Sequence, residues 1–64
     1  MSVVYEVFYF NTNNGDNGVV KQFEKESYAK EFFDSISISS KRNGIDLSVF
    51  EVDKKTRIVT CKIR

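Results

Sequence analysis

The stretch Val3-Val4-Tyr5-Glu6-Val7-Phe8-Tyr9-Phe10 decides the fold. Seven of its eight residues are apolar or aromatic, and most belong to the β-branched and aromatic types that suit a pleated strand. The run is too short for an ordinary helix and lacks helical spacing. Because a strand that is hydrophobic on both faces is typical of a sheet interior, we predict that its neighbours lie on both sides.

A loop rich in Asn, Asp and Gly, residues 11–18, separates this strand from a second one predicted at Val19–Phe23. Asn and Gly tolerate positive φ angles, and Asn-Gly is a strong hairpin signal. In the second strand Val19, Lys21 and Phe23 alternate with Val20, Gln22 and Glu24, so that one face is wet. This pattern predicts an edge strand that charge protects from further pairing.

An amphipathic helix is predicted next, with its start left open within Glu24–Ser27. Its apolar stripe has the spacing i, i+3, i+4, i+7 and consists of Ala29, Phe32, Phe33 and Ile36. Residues 36–40 alternate as a strand would, but we expect the helix to continue through them. Lys41 and Arg42 suit a helix C terminus and Gly44 suits the position after it, which predicts the end there.

Two further strands are predicted at Ile45–Val52 and Arg57–Ile63, joined by a turn over residues 53–56. In the first of them Phe50 falls on the polar side. In the second, the better core set is Val59, Cys61 and Ile63, and the outward set is Ile58, Thr60, Lys62 and Arg64. The order ββαββ predicts a single α+β domain, residues 1–64, with one four-stranded antiparallel sheet in the order 2-1-3-4 and the helix on one face.

The composition of the chain argues against several classes of function. The net charge of +1 argues against a polybasic nucleic-acid tail and against an acidic DNA mimic. Residues 41–64 nevertheless carry seven basic and three acidic side chains, a local charge of +4. No signal peptide is visible, and no apolar stretch is long enough for a bilayer, so we expect a cytoplasmic protein without a membrane partner.

The sequence contains few residues that could act as catalytic groups. The chain has no histidine and one cysteine, Cys61, which we expect to be a buried small hydrophobe in a strand. One cysteine permits no internal disulfide, and without histidine it does not make a metal site. The sequence therefore predicts no enzyme activity, no catalytic residue, no cofactor and no metal.

A single helix covers only one face of the sheet, so the other face of the first strand needs an explanation. One set is Tyr5, Val7 and Tyr9, and the other is Val4, Phe8 and Phe10 around Glu6. We favour the second set as the outer one because Glu6 is hard to bury, although a one-residue register shift exchanges the two faces. In the opposite case Tyr5 and Tyr9 face outward with wet hydroxyl groups. The predicted partner-binding set is Phe8, Phe10, Phe50, Ile58, Lys62 and Arg64.

Exposed apolar patches of this kind mark contact sites, and we expect a non-enzymatic protein-interaction module. A homodimer is the plainest use of such a face. A nucleic-acid-binding protein that stacks bases beside Lys and Arg is an alternative, as is a structural homo-oligomer subunit. Pairing of a partner strand along Val19–Phe23 is an alternative geometry.

In its short length, its Asn, Lys, Ile, Phe and Tyr content, its lack of Pro, Trp and His and its ββαββ layout, the chain resembles small accessory proteins of bacteriophages and mobile elements. The resemblance covers the whole chain and involves no motif, so it assigns no residue. It implies an inhibitor or modulator that binds one host protein in the host cytoplasm and blocks it by steric occlusion.

Overall fold

The computed structural model describes residues 2–64, whose four strands form one antiparallel sheet in the order β2-β1-β3-β4 with the helix on one face. The elements are β1 (Val3–Asn11), β2 (Asn17–Phe23), α1 (Glu26–Arg42), β3 (Ile45–Asp53) and β4 (Val59–Lys62). The α+β class, the ββαββ order and the sheet order predicted from the sequence are confirmed. The hydrophobic first strand lies inside the sheet, as its composition requires.

The long pairing of β1 with β3 forms the centre of the sheet. It is in register from Val3 opposite Asp53 to Asn11 opposite Ile45, without a bulge. Val7 and Val49 lie opposite each other, and with Ala29 of α1 they form the fully buried core cluster. Half-buried side chains surround this cluster: Tyr5, Phe23, Phe32, Phe33, Leu47 and Ile63.

Helix α1 continues through residues 36–40, as predicted, and ends in a left-handed turn. The backbone N–H of Asn43 donates to Ser40 O and that of Gly44 donates to Lys41 O, each at 3.0 Å. Gly44 has φ +78°, a left-handed conformation that favours glycine at this position. No helix within residues 2–64 is long and apolar enough to cross a membrane.

Strand β4 is shorter than predicted because the chain turns back later than the sequence pattern indicates. The prediction began at Arg57, but Arg57 has φ +63°, a left-handed conformation that ends the turn after Asp53. The turn is closed by Arg57 N–H to Asp53 O at 2.8 Å and Asp53 N–H to Ile58 O at 2.9 Å. Regular strand pairing therefore starts only at Val59.

A β-bulge reverses the predicted faces of the first half of β4. Cys61 pairs with Glu51 and Val59 pairs with Val52, which leaves Thr60 as the extra residue. Val59 therefore shares a face with Val52 and is 53% exposed. Cys61 is exposed as well, so the prediction of a buried cysteine and of a core set with Val59 and Cys61 is wrong. Ile63 alone of that set packs against the core.

Asp53 organises the turn between β3 and β4. Its Oδ1 accepts the backbone N–H groups of Lys55 and Thr56, both at 2.9 Å. These two hydrogen bonds, that from Thr56 foremost, lower the pKa of the Asp53 carboxyl below its usual value.

We expect the Asp53→Asn variant to lose part of the acid sensitivity of the fold. Because the folded state lowers the pKa of Asp53, its carboxylate stabilises the fold above the unfolded-state pKa, and this contribution disappears as the pH falls through the folded-state pKa. Asparagine retains an oxygen acceptor and has no charge to lose. Thermal unfolding followed between about pH 5 and about pH 2 should show a smaller decrease in melting temperature for the variant. Equal decreases would show that Asp53 has no part in acid unfolding.

Candidate interaction surface

The strand register divides the sheet into a helix side and an outer face. Val7 lies on the helix side with Ala29, so Val4, Glu6, Phe8 and Phe10 of β1 point to the outer face. The favoured assignment of the two sets is therefore the one observed. The outer face has two halves of different character, one polar and closed, the other aromatic and open.

The closed half is built around Glu6, which is only 6% exposed. Its Oε2 accepts hydrogen bonds from Arg57 Nη2 at 2.6 Å and from Gln22 Nε2 at 3.0 Å. The expectation that Glu6 is hard to bury is wrong, because the turn after β3 delivers a cation to it.

Two apolar residues of this half of the outer face are also covered. Val4 and Val52 pair with each other in the row between the β3–β4 turn and Glu6. Because Arg57 reaches Glu6 from the turn across this row, we infer that its methylene stem shields these side chains. Val4 is fully buried and Val52 is 3% exposed, although α1 lies on the opposite face.

The open half, which we name the outer aromatic patch, consists of Phe8, Phe10, Val19 and Phe50. The Phe8 and Phe50 rings meet edge to face with centroids 6.1 Å apart. Val19 pairs with Phe8 across the β1–β2 ladder and is 44% exposed, and Phe10 is 46% exposed. No other part of residues 2–64 lies over this patch as α1 lies over the helix side.

The structure brings together four of the six predicted site residues. Phe8, Phe10 and Phe50 belong to the outer aromatic patch, and Lys62 pairs with Phe50 at its border. Ile58 is exposed but lies opposite Asp53, because the bulge at Thr60 places Val59 on the outer face instead. The expected position of Ile58 beside the aromatic residues is thereby corrected.

Arg64 is also placed differently from the expectation. Its Nε lies 3.8 Å from Asp34 Oδ1 of α1, so its side chain reaches toward the helix and away from the outer face. The adjacent Ile63 packs into the core from the same side. The backbone of Arg64 bonds Val49 instead of extending β4 further along β3.

Sequence reasoning missed the role of Arg57 and the apolar contribution of Val19. A period-two pattern assigns Arg57 to a strand, and only the positive φ angle turns its side chain toward Glu6. Val19 joins the outer face because a bulge in β2 makes Val20 the extra residue between the pairs Val7–Lys21 and Phe8–Val19. The sequence shows a carboxylate and an arginine on two separate predicted strands, but the strand pattern does not show that the two side chains meet.

The two lateral edges of the sheet differ. Along β2, the bulge at Val20 and the exposed Lys21 interrupt a regular ladder, and both features protect edges from strand addition. Along β3, β4 pairs only with the second half of the strand, from Val49 onward. The alternative prediction of strand addition along Val19–Phe23 therefore concerns the more protected of the two edges.

Comparison with known proteins adds no family, since the chain matches no family model, no curated protein and no solved structure. Within the part of the chain that the structure describes, no three His, Cys, Asp or Glu side chains come together as metal ligands. What the surface offers chemically is a set of aromatic side chains beside the ion pair of the buried Glu6 with the half-exposed Arg57.

Proposed function

We propose that this protein is a non-enzymatic interaction module that binds another protein through the outer aromatic patch. Phe10 carries the proposal, because it is a large side chain 46% exposed on a central strand beside the Phe8–Phe50 pair. Buried aromatic residues dominate the binding energy of protein interfaces, and rigid ones lose little entropy on binding. The proposed mode of action is steric occlusion of the partner, as in phage-type inhibitors and modulators.

The Cα atoms of the described chain extend over 36 × 23 × 15 Å. A standard interface takes about 800 Å² from each partner, so a partner centred on the outer aromatic patch would also contact the residues around it.

The charges at the border of the patch specify the partner further. Lys62 lies next to Phe50, and the turn at one end of the sheet carries the exposed Lys55. Glu6, which pairs with Phe50, is already bound by Arg57, and the other outer-face carboxylate of the two central strands, Asp46, pairs with Phe10 at the other end. A partner with an apolar centre and carboxylates toward one side complements this arrangement.

The test is a Phe10→Asp variant, with Tyr28→Asp as its control. Both residues are exposed aromatic side chains, at 46% and 54%, but Tyr28 lies on α1. Each tagged variant is used to recover partners from host lysate with and without nuclease, and the partner recovered by the unmodified protein is purified for titration. We expect Phe10→Asp to raise Kd at least about 30-fold, the effect of losing a hot-spot residue, and Tyr28→Asp to leave it unchanged.

Circular dichroism distinguishes lost binding from lost folding in this experiment. A native-like spectrum of Phe10→Asp together with weakened binding supports the proposal. Undiminished binding by a folded Phe10→Asp protein would show that the patch is not the contact surface. A concentration-dependent mass in sedimentation, without a recovered partner, would instead indicate the structural homo-oligomer.

Binding of single-stranded nucleic acid is the weaker alternative because several cations are already engaged. Lys54 Nζ lies 3.5 Å from Glu24, Arg57 Nη2 lies 2.6 Å from Glu6, and Arg64 contacts Asp34. Stacking on the aromatic patch would need free cations nearby to bind phosphates, and affinity would then decrease steeply with salt. A recovered complex that survives nuclease and about 0.5 M salt would exclude this mode.

A further inference from the structure

The first half of β3 has an open lateral edge. Val49 is the last residue of β3 whose backbone is bonded on this side: its C=O accepts the N–H of Ile63 at 2.8 Å, and its N–H donates to Arg64 O at 3.3 Å. Backbone groups of alternate residues point to the same side of a strand, so those of Leu47 and Ile45 face the same edge as those of Val49. Within residues 2–64 no strand pairs with that edge.

A groove of about 460 Å³ runs along this open edge. One wall is the C-terminal half of α1, and the other is the edge of β3 with the end of β4. Its lining is Phe33, Ser37, Ile38 and Lys41 of the helix, Ile45, Asp46, Leu47 and Ser48 of β3, and Lys62 of β4. The groove therefore occupies the place that β4 would fill if it continued along β3.

The helix side of the groove is apolar. Leu47 and Phe33 pack at the border of the core, and Ile45 is half-buried. Ile38 is 70% exposed and is the most exposed large apolar residue of the described chain. A side chain that entered the groove from an added strand would cover part of Ile38 and remove apolar surface from water.

We propose that this groove binds an extended peptide segment of a partner protein by strand addition to β3. The segment pairs with Ile45 and Leu47 and forms up to four backbone hydrogen bonds with their N–H and C=O groups. It is three to four residues long at the contact, about the length of the unpaired part of β3. This site is separate from the outer aromatic patch and does not depend on its function.

The alternation of the sheet and the charges of the groove define the sequence of the segment. Residues opposite Ile45 and Leu47 face the helix side, so they are apolar. The residue between them lies directly opposite Asp46 and faces the outer side with it, whereas Lys41 belongs to the helix wall on the other side of the sheet. An opposite charge directly across the ladder from Asp46 stabilises the pairing, so a basic residue is favoured at this position of the segment.

The β3 edge accepts a strand more readily than the β2 edge does. Its pairing with β1 contains no bulge, so its free groups have the spacing of a regular ladder. The β2 edge contains the bulge at Val20 and the exposed Lys21. The same sheet therefore has one protected edge and one receptive edge.

The test is an NMR titration of the full chain with a peptide of alternating valine and lysine, five residues long and capped at both ends. We expect saturable shifts of the Ile45 and Leu47 amides and slower hydrogen exchange of both, since each amide gains an acceptor. A matched peptide with N-methyl groups on alternate residues keeps the side chains and loses the donors, and it should bind at least about tenfold more weakly.

A charge-reversal variant tests the predicted sequence preference. Asp46 is exposed on β3, and we expect Asp46→Lys to fold normally and to bind the lysine peptide about threefold more weakly. The same variant should gain affinity for a peptide with glutamate in place of lysine.

Four results would overturn the proposal. One is the absence of a saturable shift at a peptide concentration of about 1 mM. Another is equal binding of the N-methylated peptide, and a third is a set of shifts confined to β2 or to the outer aromatic patch. A concentration-dependent dimer whose dissociation exposes the Ile45 and Leu47 amides would assign the edge to a second copy of the chain and would also overturn it.

Discussion

Truncating Val49 to alanine should lower the free energy of unfolding by about 2–3 kcal/mol. Val49 is fully buried and packs against Val7 and Ala29 at the centre of the only core that the described chain contains. The variant loses the transfer free energy of two methyl groups and leaves a cavity that its rigid β neighbours cannot fill. For a domain of this size, each kcal/mol corresponds to about 4–8 °C in melting temperature.

Val20→Ala is the matched control, because it makes the same chemical change at a residue that is 44% exposed. We expect its loss to stay below about 0.5 kcal/mol. Urea unfolding followed by circular dichroism measures both variants. Comparable losses in the two proteins would show that the packing around Val49 does not dominate the stability of the fold.

Replacing Arg57 with methionine is expected to destabilise the protein by about 2 kcal/mol. Methionine retains most of the stem over Val4 and Val52 but leaves the Glu6 carboxylate, whose side chain is 8% exposed, without its cation. Removing one partner of a fully buried pair costs about 3–5 kcal/mol, and the smaller value reflects the 53% exposure of the Arg57 side chain.

A double-mutant cycle with Glu6→Gln isolates the ion pair from the packing. The Glu6→Gln, Arg57→Met protein carries no buried charge, so we expect it to be more stable than Arg57→Met alone by about 1 kcal/mol or more. Additive losses in chemical denaturation would mean that Arg57 acts through its stem and not through its charge.

Much of the architecture followed from residue patterns, because the deciding signals were strong and local. The hydrophobic run at 3–10 required an interior strand, and the spacing Ala29, Phe32, Phe33 and Ile36 required a helix that packs on one side. The carboxylate of Glu6 also led to the observed assignment of faces, although it is buried there and not exposed as the argument assumed.

The wrong predictions lie where a bulge adds one residue to one strand of a pair. The bulge at Thr60 moves Val59 to the outer face and Ile58 away from it, and the left-handed Arg57 delays the start of β4. A two-residue period contains no information about such insertions, because each side of the bulge still alternates correctly. The sequence pattern also does not predict the open edge of β3. This edge depends on how far β4 extends along β3 and not on the composition of β4.

The pairing of β1 with β3 can form only late in the synthesis of the chain. Tyr5 donates a hydrogen bond to Glu51, which is 46 residues later in the chain. Strand β1 therefore gains β3 as its second neighbour only after most of the chain has been synthesised. At roughly 5–20 residues per second, the ribosome needs about 2–9 s to add those residues. During that interval β1 has only the β2 hairpin as a neighbour, and an isolated hairpin is marginally stable in water. We therefore expect nascent chains to be most prone to coaggregate through residues 3–10 before β3 emerges.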